Sequence, residues 1–196
     1  MNKRYYPKIT DALVSDGYIV LENALDEVMC KKLLKSAQDE TFFKKAGISS
    51  SDSLHVDETK RRDKTRWLDE DSAIMSEYLG FSEGLREYLN RTLYLGLTYY
   101  EAHFAIYEKN DFYEKHLDAF RGSKNRVVTT VFYLNEEWDE ENGGALIIYD
   151  ENDKLVKKVL PKMGTLVVFL SDKFPHEVLP TNKKRYSVAG WFRVDR

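Results

Sequence analysis

The chain has 196 residues with 30 basic and 33 acidic side chains, a formal net charge of −3, and this balance gives no electrostatic reason to expect a nucleic-acid partner. Hydrophobic residues make up 42% of it, with 13 Tyr and 10 Phe among the aromatics, which excludes a disordered composition and allows a sizeable core. A lone cysteine, Cys30, excludes an internal disulfide and points to a reducing, cytoplasmic compartment, while no run nears the roughly 20 apolar residues of a membrane span and no apolar stretch follows the basic N-terminus as in a secretory signal.

In chain order, residues 17–22 read as a short strand. Behind Asp26, an acidic cap candidate, Val28, Met29, Leu33, Leu34 and Ala37 recur at spacings of three and four, which predicts a helix. Residues 47–64 turn polar and read as a loop, with the basic cluster Lys60-Arg61-Arg62 on a solvated face and a lid as its alternative role. A second helix is predicted over about 72–95, kinked or split at Gly80 and Gly84. Cys30 reads as a small core residue.

After Leu95 the character changes. Segments rich in Tyr, Val, Phe and Thr cover 98–107, 115–119, 126–134, 145–149, 155–160, 165–169, 176–179 and 186–194, with turn signals at 142–144 and 150–153. Many short strands at this spacing indicate a sandwich or barrel. The outline is one α+β domain over 1–196. Helical support and a loop region fill 1–97, and a double-stranded β-helix (jelly-roll) core fills 98–196. Tyr99, Tyr100, Phe104 and Trp138 read as packing aromatics.

The chain has four histidines. His116-Leu117-Asp118 places an imidazole and a carboxylate two apart, on one face if the segment is a strand. A third ligand from a distant strand, His176, completes two His plus one carboxylate, the set used by non-haem Fe(II) oxygenases. His55-Val56-Asp57 repeats the local pattern in a polar stretch without strand character, so His55 and His103 read as structural or surface residues. Zinc is disfavoured by the shortage of Cys and His.

Arg185 follows His176 by nine residues at the head of a strand. A guanidinium can grip the distal carboxylate of 2-oxoglutarate with two parallel bonds, and Ser187, two residues on, can share it. Lys183 and Lys184 are rivals for that charge.

Residues 99–194 resemble the 2-oxoglutarate/Fe(II) prolyl hydroxylases, the oxygen-sensing type and its bacterial relatives. The matching stretches are Tyr107, Tyr113-Glu-Lys-His-Leu-Asp118, Val131-Phe-Tyr-Leu-Asn135, Trp138, Gly143-Gly144-Ala-Leu146, Phe174-Pro-His-Glu-Val178 and Arg185-Tyr-Ser-Val-Ala-Gly-Trp191. Upstream, Arg62-Asp63-Lys64-Thr65-Arg66-Trp67 resembles a short motif of the same subgroup, with Arg62 where glycine is expected. The resemblance implies hydroxylation of a C–H bond, in this subgroup on a prolyl residue of a protein, with release of succinate and CO₂. Fe(II), 2-oxoglutarate and O₂ are then required, with ascorbate as an accessory reductant. It implies an iron triad of His116, Asp118 and His176, and a cosubstrate site of Arg185, Tyr133, Tyr107 and Ser187. Arg126 and Trp191 fall on the substrate side, and Trp67 reads either as a core residue or as a substrate wall. Two alternatives stay open: the same chemistry on a free amino acid or other small molecule, and a jelly-roll module that holds metal without turnover.

Overall fold

The computed structural model describes residues 3–50, 53–69, 72–119 and 125–194, and all their side chains except those of 48–50 and 53–55. Most of the linker between Asp118 and Arg126, and the side chain of His55 in the second His-x-Asp copy, therefore lie outside the described residues.

Helix α1 (Tyr5–Ser15) buries Tyr5, Tyr6, Ile9 and Leu13 on one face. No helix is predicted there, because two tyrosines dilute the apolar stripe; the spacing of three and four carries it. Strand β1 (Tyr18–Leu21) follows. Helix α2 (Glu27–Gln38) starts where expected: the Asp26 side chain accepts a bond from the Met29 amide at 2.9 Å. Next come β2 (Lys44–Lys45), the hairpin of β3 (Ile48–Ser50) and β4 (Ser53–His55), and β5 (Lys64–Trp67). The polar stretch read as a loop thus carries a hairpin and the start of a sheet strand. Helix α3 (Ala73–Leu93) runs unbroken for 21 residues, against the expected kink. Gly84 instead faces α1, where an added Cβ would lie 2.7 Å from Tyr6 Oη. It permits helix packing rather than a break. No described helix is long and apolar enough to cross a membrane.

The second half holds β6 (Tyr99–Tyr107), β7 (Tyr113–His116), β8 (Arg126–Tyr133), β9 (Leu146–Tyr149), β10 (Leu155–Val159), β11 (Leu166–Leu170), β12 (His176–Val178) and β13 (Arg185–Arg193). These match the eight expected strands within a few residues. A seven-stranded sheet runs in the order β1-β11-β8-β13-β6-β5-β2, and a four-stranded sheet in the order β10-β9-β12-β7. The two face each other as a jelly-roll core.

Strand alternation sorts the major sheet's side chains into two layers. Phe104, Val128, Phe132, Val188 and Phe192 point to the helices and pack with Ile9, Leu33, Leu85 and Leu89. Fully burying each such phenylalanine contributes about 1.5–3 kcal/mol. The alternate residues Ala105, Tyr107, Val131 and Tyr133 face the minor sheet and meet Leu146, Ile148 and Val178. Helices thus cover one face of the major sheet and leave the other to build a cavity.

Candidate active site

Between the sheets lies a cavity of about 500 Å³. Its floor is the inner face of the major sheet, and strand register decides what stands on it. Arg185 of β13 pairs with Tyr107 of β6; Ser187 lies between Tyr133 and Ala105, Ala189 between Val131 and His103, and Trp191 beside Thr129. β5 extends two of these rows, Thr65 beside Ala105 and Trp67 beside His103. Successive rows are two residues apart, about 7 Å. The floor therefore grades from a cation with two phenols, through small side chains, to a cluster of rings.

The minor sheet supplies the roof. Antiparallel register pairs His116 of β7 directly with His176 of β12, and their ring centroids are 4.3 Å apart. Asp118 is not on the same strand as His116, contrary to expectation. β7 ends at His116 and the chain bends, which swings the Asp118 carboxylate beneath both rings. Its Oδ1 is 3.8 Å from His116 Nε2 and its Oδ2 3.6 Å from His176 Nε2. Ligand atoms of all three residues lie within 4.8 Å of one another.

The donor set fits a divalent first-row cation. Nδ1 of His116 donates to the Glu114 carbonyl at 2.8 Å and Nδ1 of His176 to the Phe174 carbonyl at 3.0 Å. Both tautomers are thereby fixed with the Nε2 lone pairs facing inward. Burial, reinforced by His176, pushes the His116 imidazole well below its ordinary value, so it stays uncharged. Burial would raise the Asp118 carboxyl, but the imidazoles of His176 and His116 outweigh it and hold it below the usual carboxylate range. A neutral His116 imidazole and an ionised Asp118 carboxylate are the protonation states a metal requires of them.

Behind the carboxylate stands a directed hydroxyl chain. Thr129 Oγ1 donates to Asp118 Oδ2 at 2.8 Å, so Ser171 Oγ, 2.9 Å from Thr129 Oγ1, supplies the next donor. All three side chains are buried. Thr129→Val keeps the shape and removes the bond, and is expected to weaken Fe(II) binding about tenfold, measured by anaerobic titration with thermal unfolding as the check on folding. Unchanged affinity would show that Asp118 is held by packing alone.

At the other end of the floor Arg185 is 1% exposed, yet no carboxylate among the described residues pairs with it. Its Nε donates to the Gly144 carbonyl at 2.9 Å and its Nη1 to Ser187 Oγ at 3.2 Å. The remainder of the fork faces the cavity between the rings of Tyr107 and Tyr133, 4.8 and 5.0 Å away. Tyr133 Oη is buried with no hydrogen-bond partner; burial pushes this phenol up to about 12, so it remains a donor. A buried cation without counter-charge beside an unsatisfied hydroxyl is a site prepared for an anion. The Gly143-Gly144 turn makes room for it. Both have φ near +65°, and an added Cβ would lie 2.6 Å from the Pro180 carbonyl oxygen at Gly143 and 3.0 Å from Arg185 Cδ at Gly144. The rival lysines are engaged elsewhere: Lys184 pairs with Glu40 and Glu108, and Lys183 lies over the Trp138 ring.

The remaining predicted residues gather at the ring-lined end. Trp191 is buried and carries Arg126 stacked 3.8 Å from its ring centroid; Trp67 is 52% exposed at the rim. Two residues set aside in the sequence also line the cavity, Arg61 and His103. Arg61 does not belong to a solvated face. It makes a two-pronged bond to buried Asp63 at 2.6 and 2.8 Å and stacks on Tyr113, whose ring in turn stacks on His116 at 3.6 Å. The Arg-x-Asp alternation at 61–63 was the available signal. Trp138 packs as expected, donating its indole N–H to the Gly143 carbonyl at 2.9 Å.

A sequence profile described as "2OG-Fe(II) oxygenase superfamily" matches residues 102–193. Egl nine homolog 1 of Rattus norvegicus is 38% identical over 82 residues, 41% of this chain but only 24% of that protein. Among solved structures, a Pseudomonas putida prolyl-4-hydroxylase superimposes with a TM-score of 0.88 at 33% identity, covering 97% of this chain and all of that one. A Trichoplax adhaerens prolyl hydroxylase, in complex with a peptide fragment of the hypoxia inducible factor oxygen degradation domain, gives a TM-score of 0.84 at 26% identity, over 97% and 89% of the two chains.

Proposed function

The chain belongs to the 2OG-Fe(II) oxygenase superfamily, in its prolyl hydroxylase type, and from that premise we propose that it hydroxylates a prolyl residue in a polypeptide. The observation that carries the reading is the pairing, in one cavity, of the His116–Asp118–His176 group with the uncompensated Arg185 guanidinium. A metal-holding module without turnover has no use for a buried cation aimed at a small dianion. When bound, iron and 2-oxoglutarate supply oxidation by O₂: the cosubstrate leaves as succinate and CO₂, and one oxygen atom enters a substrate C–H bond.

The chain's own residues supply placement. His116 and His176 hold the metal through Nε2 while their Nδ1 protons stay on backbone carbonyls. Asp118 would add a carboxylate oxygen, its other oxygen being held by Thr129. Arg185 and Ser187, with the Tyr133 hydroxyl, take the distal carboxylate. Ala105, Val131 and Ala189 leave the middle of the floor open for the cosubstrate. Trp67 and Trp191 wall the end where the target ring enters, and Arg126 is fixed on Trp191 above it. The abundance of fixed aromatic surface suits a pyrrolidine ring. Cys30 is free and buried, which supports a reducing, cytoplasmic setting.

The test mixes protein anaerobically with Fe(II) and 2-oxoglutarate and records the visible spectrum. Air is then admitted and succinate assayed, with and without a proline-containing peptide pool. A weak charge-transfer band needing both additions, followed by succinate formation that peptides stimulate, is the expected result. Stimulation by free proline but not by peptides would move the reading to a small-molecule substrate. No band and no succinate would end it.

A further inference from the structure

Neither the metal group nor the anion end of the cavity uses His103. It is 4% exposed and stands on the floor between two tryptophans, its ring centroid 5.2 Å from that of Trp67 and 5.3 Å from that of Trp191. Its Nδ1 lies 3.1 Å from the Phe104 carbonyl oxygen. A carbonyl can only accept, so Nδ1 carries the ring proton and Nε2 presents a lone pair. Nothing among the described residues bonds to that Nε2, although the residue lines the cavity. Burial pushes this imidazole down to about 4, so it stays a neutral acceptor. The Nε2 lone pair is thus an open acceptor on the cavity wall, available to what enters.

The surroundings narrow the partner. The cavity lining near His103 carries Arg61 and Arg126, each already paired with a carboxylate, Asp63 and Glu101. Burial is the main reason the ring stays uncharged, and the same burial disfavours a charged ammonium donor, as on a free amino acid, and favours an uncharged N–H. A prolyl residue has no N–H of its own, so the donor must come from a residue beside it.

We propose that His103 is a substrate-selecting residue, its Nε2 accepting a hydrogen bond from a backbone amide of the polypeptide next to the prolyl ring that rests against Trp67 and Trp191. The inference rests on the prolyl-polypeptide reading above and adds to it a requirement for a neighbouring peptide N–H. It explains how the site tells a prolyl residue within a chain from the free amino acid.

The experiment uses a pool of synthetic peptides, each with one central proline and randomised flanks, and detects addition of one oxygen atom by mass spectrometry. With a hydroxylated peptide in hand, kinetics are compared for the wild type, His103→Leu and His103→Gln. The leucine variant is expected to raise KM for peptide about tenfold, the equivalent of one neutral hydrogen bond, while the Fe(II)–2-oxoglutarate absorption band titrates as in the wild type. Glutamine, whose Oε1 takes the place of Nε2, recovers most of the loss. N-methylating the peptide amides one at a time tests the same bond without altering the protein. One position should weaken the wild type and leave His103→Leu indifferent. Equal KM in wild type and His103→Leu, or equal losses on N-methylation in both, would overturn the proposal. If the wild type forms succinate but hydroxylates no peptide, the polypeptide reading itself fails and takes the proposal with it.

Discussion

His116→Ala is expected to abolish Fe(II) binding and, with it, the charge-transfer band and succinate formation. Among the described residues His116, Asp118 and His176 alone gather as candidate ligands, and the register that sets His116 against His176 leaves no described neighbour able to replace it. His103 stands on the opposite sheet. Losing an outer partner of a ligand costs ten- to a hundredfold in metal affinity; losing the ligand itself should exceed about a hundredfold. His176→Ala should behave alike, because the two imidazoles are cross-strand partners. Folding should survive, since the Nε2 atoms are not what binds the sheets together: β12 also pairs with β9 across Ile148, Ile147 and Leu146. The measurement is anaerobic Fe(II) titration alongside thermal unfolding. Wild-type affinity in a folded His116→Ala protein would dismiss the metal assignment.

The parts of this site legible in the sequence were those carried by short spacing. His116 and Asp118, two apart, and Ser187, two after Arg185, fall together whatever the rest of the chain does. The pairing of His116 with His176 was implied but not located, because it depends on how β7 and β12 register, and nothing local encodes a register between strands about 60 residues apart in the chain. The strand argument for His116 and Asp118 named two residues that the structure does bring together, but by a wrong route, since a bend and not a common strand face does so. Arg61 was misread for a related reason. A run of three basic residues is normally solvated, and only the β5 segment's return to the sheet edge, with Arg61 bridged to Tyr113, buries it. His103 was set aside because its meaning lies in neighbours from three other strands. Among the helices, α2 announced itself through Asp26, whereas α1 has no side-chain cap and shares its buried face with tyrosines.

Arg185→Met is expected to raise the 2-oxoglutarate requirement steeply while leaving iron bound. Removing one partner of a buried, charge-assisted pair costs about 2–5 kcal/mol, which is roughly thirtyfold to a few thousandfold in affinity. The iron site should be indifferent, because Arg185 lies at the opposite end of the floor, with its bonds to Gly144 and Ser187. Arg185→Lys should recover part of the affinity at most, since an ammonium brings charge without the two-pronged fork. The stability readout points the opposite way. In the protein alone, Arg185 is a buried cation with no paired carboxylate among the described residues, so an apolar side chain of similar length should leave the cosubstrate-free form as stable as the wild type or more so. Saturating 2-oxoglutarate with a redox-inert divalent metal should then raise the wild-type Tm by about 5–10 °C, corresponding to roughly 2.7 kcal/mol at a hundredfold excess over Kd, and should barely move the variant. A variant with undiminished cosubstrate affinity would return Lys183 and Lys184 to contention. A variant that is destabilised alone, yet still gains the full Tm shift, would mean that Arg185 serves the fold and that the anion is held elsewhere.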